Sequence, residues 1–180
     1  MTRAFSRTLV ATLVLAITAT ASAGGIEAGD RLEMAAVLEA PISPTRAVRI
    51  AENGGGRAYG YGMEATRRGH WYEVDVLRGN ARLELRIDAN TGKLIGSGAA
   101  RGEDAQGAHA LDGNKLGFGA AIAQAERMGG GPALEASAAG HGEHAHVDVD
   151  IIQDHGQRIA HYRVSMQHGE FHIAMTGSDS

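Results

Sequence analysis

The strongest constraint on the fold of this chain is an internal repeat. Two short segments have the alanine-rich character of a helix and end in three consecutive glycines, at 42–56 and 116–131. Each is followed by stretches in which apolar and polar residues alternate, which is typical of strands with one buried and one solvent-facing side. The repeat predicts an α+β fold of two small units, each with a helix packed on an antiparallel sheet of three or more strands.

The first copy contains the clearer local signals. Ser43 is the expected N-cap of its helix, Pro44 stands at the first helical position, and Gly54 is the expected left-handed residue that ends it. In the strand-like stretch Trp71–Val76, every second residue is apolar, beginning with Tyr72. This alternation predicts that Tyr72 points into the core and that Trp71 lies on the polar face.

The second copy is predicted to be longer than the first. Ala125 follows its helical counterpart Ala51 by 74 positions, whereas Tyr162 follows its proposed strand counterpart Tyr72 by 90. The difference implies that about 16 residues are added, a histidine-rich insertion at about 133–146.

The first 23 residues have the composition of a secretory signal peptide. Arg3 and Arg7 precede the apolar run Leu9–Ala19, and the small residues Ala21 and Ala23 form a cleavage site. The run is shorter than the roughly 20 residues that a membrane-spanning helix needs. We therefore expect a Sec-type signal that is cleaved after Ala23, and a periplasmic or secreted mature chain with no stable membrane insertion.

The rest of the chain divides by composition. Residues 24–40 form an N-terminal lead-in, 41–97 the first unit, 98–114 a glycine-rich linker, and 115–180 the second unit.

Part of the first unit resembles a known family. Tyr72–Val76 reads Tyr-Glu-Val-Asp-Val, and Asp88–Ile95 reads Asp-Ala-Asn-Thr-Gly-Lys-Leu-Ile. With these motifs, both units resemble the PepSY domain, a module of the propeptides of thermolysin-like metallopeptidases and of many secreted bacterial proteins, and the first unit resembles it more closely. The second unit shares the helix and the strand Tyr162–Val164 but has no such closing turn. The resemblance implies a helix packed across an antiparallel sheet, no catalytic residues, and binding or inhibition of a peptidase or another envelope protein.

Composition excludes several other functions. The chain has no cysteine, which rules out thiol catalysis and cysteine-ligated metals. A net charge of -4 and an aromatic content of 4% do not fit nucleic-acid binding. No nucleophile elbow, metalloprotease motif or phosphate-binding loop is present. We therefore expect a non-enzymatic protein. The resemblance to PepSY domains implies that it binds an envelope partner, for example by strand addition at a sheet edge.

The histidines suggest an alternative function. Seven of the nine lie in the last 40 residues, and imidazole suits zinc, copper or nickel. The candidate ligands of a metal buffer or sensor are His141, His144, His146, His161 and His172. A pH-responsive surface, or an ordinary polar face on which histidine replaces other polar residues, would produce the same pattern.

Overall fold

The computed structural model of this protein describes residues 26–101, 107–167 and 170–180. The predicted signal peptide lies outside the described residues. None of the helices in these ranges is long and apolar enough to cross a lipid bilayer.

The described residues form three α-helices and one short 3-10 turn, at Gly142–His144. The α-helices are α1 (Ala28–Glu39), α2 (Pro44–Glu52) and α3 (Phe118–Gly129). The predicted start of α2 is confirmed, because the Ser43 hydroxyl accepts a hydrogen bond from the Arg46 amide at 3.3 Å. The predicted stop is wrong by one residue. The left-handed glycine is Gly55, with φ of +85°, and not Gly54.

Eight antiparallel strands form a single sheet in the order β4-β3-β2-β1-β5-β6-β7-β8. They are β1 (Arg57–Thr66), β2 (Gly69–Arg78), β3 (Ala81–Asp88), β4 (Leu94–Ala99), β5 (Ala133–Ala139), β6 (His146–Gln153), β7 (Arg158–Gln167) and β8 (Glu170–Asp179). This architecture confirms the predicted α+β class.

The two predicted units are joined edge to edge. β1 pairs with β5 in register Gly60 to Ser137 and Gly62 to Glu135, and a continuous hydrophobic core extends through both halves. In each half, one helix is followed by four strands, and the sheet order is symmetric about the pairing of β1 with β5. We call this pairing the seam.

The repeat is more regular in the structure than in the sequence. Residues 133–139, inside the predicted insertion, form β5 and occupy the position that β1 has in the first half. By the same topology, β6 corresponds to β2, and β7, which contains Tyr162, corresponds to β3. The equivalent strands start 76 or 77 positions apart, only two or three more than the offset of 74 between the helices. The pairing of Tyr162 with Tyr72 joined strands that are not equivalent.

One side of the sheet, here called the helix face, packs against α2 and α3. The β2 residues Tyr72, Val74 and Val76 are fully buried there, as are Ile122 and Ala125 of α3. The predicted inward direction of Tyr72 is thus confirmed. Burial of this apolar surface is the main term that holds the helices on the sheet.

The opposite side, here called the cleft face, carries α1 and the segment 107–113. α1 lies within the predicted lead-in and contacts β1 and β5, with Met34 and Val37 buried. In the second segment, Ala108 and Leu111 are buried in the same core. Within the predicted linker, residues 98–99 therefore belong to β4 and the segment 107–113 packs against the domain.

Candidate binding cleft and sheet edges

A cleft of about 1020 Å³ opens on the cleft face. Its floor is formed by β1 and β5. Gly60 and Gly62 of β1 have no side chains to fill the space above the sheet. Asp30 and Glu33 of α1 line one side, and the segment that contains His109 lines another. The cleft extends across both halves of the sheet and could accommodate a ligand of the size of a short peptide.

The lining of this cleft is strongly acidic. Its described residues include one arginine, Arg82, three histidines, and nine carboxylates. The carboxylates are Asp30, Glu33, Glu64, Glu73, Asp75, Glu84, Glu135, Asp150 and Asp179. Acid groups concentrated on low-dielectric walls give a negative potential that attracts cations and basic segments.

Burial, followed by the repulsion between neighbouring carboxylates, raises the pKa of several of these acids. Burial, together with the charges of Glu64, Asp30 and Glu135, raises the pKa of Glu33 to about 7. Burial is also the main cause of the raised pKa of Glu64 and of Glu135. Part of the cleft therefore takes up protons close to neutral pH.

Arg86 neutralises part of the first half's cleft face. Its guanidinium lies 3.0 Å from Glu73 and 2.9 Å from Glu84, and it stacks over the Trp71 ring at 5.8 Å from the centroid. The Trp71 indole donates to Glu73 at 3.0 Å. Trp71 thus lies on the polar face as predicted, and its ring is held by neighbours on the sheet.

The five predicted metal ligands lie on three strands of the second half and at the 3-10 turn. His146, the first residue of β6, shares the cleft face with His161 of β7 and His172 of β8. His144 belongs to the 3-10 turn and His141 directly precedes it.

The spacing of the three strand histidines does not favour a common ion. His146 and His172 both pair with Ser165, so two strand spacings, about 9.6 Å, separate their backbones. His161 lies on β7 four residues from Ser165, which corresponds to about 13 Å along the strand. No group of three or more histidine, aspartate or glutamate residues in the described ranges is arranged to hold a metal. Metal binding remains a prediction from the sequence.

His161 has well-defined partners. Its Nδ1 lies 2.7 Å from Asp150 Oδ1 on β6, and its Nε2 lies 3.0 Å from Asp179 Oδ2 on β8. Burial, the largest single effect, lowers the pKa of His161, but the hydrogen bonds and charges of the two aspartates outweigh it and raise the pKa above its ordinary value.

The two outer strands of the sheet, β4 and β8, each pair on one side only among the described residues. Large apolar side chains are exposed on both. Met175 of β8 is 60% exposed, and Leu94 and Ile95 of β4 are 57% and 56% exposed. A strand with an unpaired side presents backbone donors and acceptors to a further strand.

Sequence reasoning missed several residues that define this face. Glu33 lies in the segment predicted as a lead-in, and Glu135 lies in the predicted insertion. Extending the offset of 74 from the helices would have placed Glu135 on a strand equivalent to β1. Nothing local in the sequence brings Asp179 next to His161, because their contact depends on the pairing of β7 with β8.

Comparison with known proteins gives little further information. No family model matches the chain, and no curated protein matches it. Among solved structures, the chain is similar to the crystal structure of a "putative lipoprotein" from Clostridium difficile 630, with 18% identity and a TM-score of 0.42. The match covers 76% of this chain and 95% of that chain. The resemblance to PepSY domains therefore rests on the sequence motifs given above.

Proposed function

We propose that this chain is an exported, non-enzymatic PepSY-type protein that binds an extended segment of an envelope partner, such as a peptidase, as an additional strand on β8. The open edge of β8 is the observation that carries the proposal. Strand addition needs unpaired backbone groups on an accessible edge and little else.

β8 is the better edge of the two. It has ten residues, whereas β4 has six, so it offers more backbone groups to an added strand. Its interior contains no proline, lysine or arginine, and its acids stand only at the ends, at Glu170 and Asp179. Proline and charged residues, lysine above all, commonly protect an edge strand from pairing, so the interior of β8 lacks this protection.

Side chains along β8 can contribute to the affinity. Met175 is mostly exposed, whereas Phe171 and Ile173 are partly buried against the core. An added strand would cover Met175 and bury apolar surface. The acidic cleft beside the edge favours partners that carry basic residues next to the inserted strand.

A matched pair of substitutions tests the edge. A photo-crosslinking residue at Ala174 of the mature protein should capture one extended segment of one envelope protein. Met175→Lys should abolish this capture, because an edge lysine opposes pairing. Leu94→Lys, an equally exposed position on β4, should not affect it.

Hydrogen exchange supplies the second measurement. The bound partner should slow the exchange of β8 amides and leave β4 unchanged. Crosslinks that scatter over many proteins, or a capture that Met175→Lys leaves intact, would refute strand addition at β8.

A further inference from the structure

We propose that Met128 of α3 and Met175 of β8 line an apolar groove beside the open edge of β8, and that this groove selects partner segments in which apolar side chains alternate with basic ones. We call it the edge groove. The inference rests on the function proposed above and deepens it, because it states which extended segments the edge accepts.

Both methionines lie beside Tyr162 on the helix face. Met175 is the direct pairing partner of Tyr162. Met128 precedes Gly129, and a Cβ built on Gly129 would approach Tyr162 Cε2 to 3.1 Å. The last turn of α3 and the middle of β8 therefore flank the same ring, and α3 contacts β8 directly.

The direction of Met128 follows from helix geometry. Glu126 lies on the flank of α3 that faces β5, where its carboxylate accepts a hydrogen bond from the Ala133 amide at 3.1 Å. Residues two positions apart in an α-helix point about 200° apart. Met128 therefore lies on the opposite flank, which faces β8 across the sheet.

The groove is open to solvent. Met128 and Met175 are 62% and 60% exposed, more than any other large apolar side chain in the described ranges. Ile173 continues the same face of β8 and is partly buried against the core. Methionine side chains are flexible and adapt to apolar partners of different shape. An exposed apolar pair beside an unpaired strand edge is typical of a surface that a partner covers.

The first half of the molecule has no apolar wall at the equivalent position. Glu52 of α2 accepts a hydrogen bond from an amide of the strand that follows it, as Glu126 of α3 does. The two glutamates are therefore equivalent, and Met128 corresponds to Gly54, which has no side chain. This difference between the halves assigns the groove to the β8 edge and not to the β4 edge.

The cleft face of the same edge is acidic. Asp148, Asp150 and Asp179 lie on this face of β6 and β8. Arg163 is bound to Asp148, and His161 lies between the other two aspartates, so acids remain in excess. Successive side chains of an added strand point to opposite faces of the sheet. Its apolar residues would thus meet the edge groove while its basic residues meet the acids.

A second copy of this chain fits the edge less well. Antiparallel pairing of β8 with itself along its whole length would bring Glu170 of one copy opposite Asp179 of the other. Like charges directly opposite each other destabilise a strand pair. The acids at both ends of β8 therefore favour a basic segment of a different protein as the occupant.

Synthetic peptides about ten residues long, the length of β8, test this selection. The first alternates valine with lysine, the second alternates valine with glutamate, and the third has the composition of the first arranged in two blocks. Fluorescence anisotropy with the mature protein should give the tightest binding for the first peptide. The other two should bind about tenfold more weakly or worse, because they lose the charge match or the alternation.

Substitutions on the protein locate the binding. Met128→Ala should weaken binding of the valine–lysine peptide about tenfold, since it removes one wall of the groove. The side chain is mostly exposed, so the variant should fold normally. Leu94→Ala truncates an exposed apolar residue on β4 and should leave the affinity unchanged.

The outcomes distinguish the groove from the function on which it rests. If the peptides slow hydrogen exchange of β8 amides but bind equally well in all three sequences, or if Met128→Ala has no effect, strand addition stands and the edge groove fails. If binding depends on Met128 but leaves β8 exchange unchanged, the groove stands and strand addition fails. If the valine–lysine peptide does not bind, the edge groove is overturned, and the crosslinking at Ala174 decides strand addition alone.

Discussion

At the scale of single residues, Glu33 shows how packing against the sheet changes the pKa of a side chain on α1. Its ordinary pKa is 4.5, and in the fold it rises to about 7. Because the folded protein holds this proton more tightly than the unfolded chain does, Glu33 favours folding most below pH 4.5. That contribution is lost as the pH rises through about 7. Above that pH, the ionisation of Glu33 no longer changes the stability.

Glu33→Gln should therefore stabilise the protein at pH 8 but not at pH 4.5. We expect a gain of about 1 kcal/mol in the free energy of unfolding, a value reduced for the partial solvent exposure of the side chain. Urea unfolding at both pH values measures it. Glu39→Gln, which changes an exposed acid on the same helix, is the control, and an equal gain from both variants would contradict the expectation.

At the scale of elements, Tyr72 connects β2 to the beginning of α2. Its hydroxyl donates to the Ile42 carbonyl at 2.5 Å inside the core, just before the Ser43 cap. This bond fixes where α2 starts relative to the sheet.

Tyr72→Phe should lower the free energy of unfolding by about 1–2 kcal/mol, since it leaves a buried carbonyl without its donor. Tyr162→Phe is the matched control, because within the described residues the Tyr162 hydroxyl has only a long contact of 3.4 Å to Gln153. Thermal or urea denaturation compares the two. If both substitutions lower the free energy of unfolding by similar amounts, the hydrogen bond from Tyr72 to the Ile42 carbonyl makes no special contribution to stability.

The elements also show what could be predicted from the sequence. α2 and β2 were predictable because their caps and alternation are strong local signals. α1 was not, since Leu32 and Leu38 are exposed while Met34 and Val37 are buried, which blurs the apolar stripe. β5 was missed because four of its seven residues, including most of those that point inward, are alanine. Alanine is only weakly hydrophobic, so the buried and exposed positions of the strand differ little in hydropathy.

The site was less predictable than the fold. His146 and His161 alternate with the buried apolar residues of β6 and β7, and this pattern is enough to place both on the polar face. It could not show that His161 meets Asp179, because the irregular register of β7 and β8 decides which side chains are neighbours. Nor could it show that α1 brings Glu33 to Glu64 and Glu135, since these residues are distant in the chain.

At the scale of the whole molecule, the continuous core predicts a single cooperative unit. Ile122→Ala in α3 removes a fully buried side chain in the second half and should cost about 2–4 kcal/mol. Trp71, the only tryptophan, reports on the first half by its fluorescence.

If the halves unfold together, the urea midpoint measured by Trp71 fluorescence should fall as far as the midpoint measured by far-ultraviolet circular dichroism. Arg127→Ala, a substitution on the same helix, should leave both midpoints nearly unchanged. A Trp71 midpoint that does not respond to Ile122→Ala would mean that the two halves are independent domains.

The seam has a mechanical consequence. β1 and β5 share three paired positions, whereas β1 and β2 share nine. Cooperativity against denaturant depends on the core packed above and below the sheet, but resistance to a force pulling the halves apart within the sheet plane depends on the backbone bonds across the joint. Under such a load the pairing of β1 with β5 should break first and leave two four-stranded sheets. The same protein would then unfold cooperatively in denaturant but separate into two halves under force.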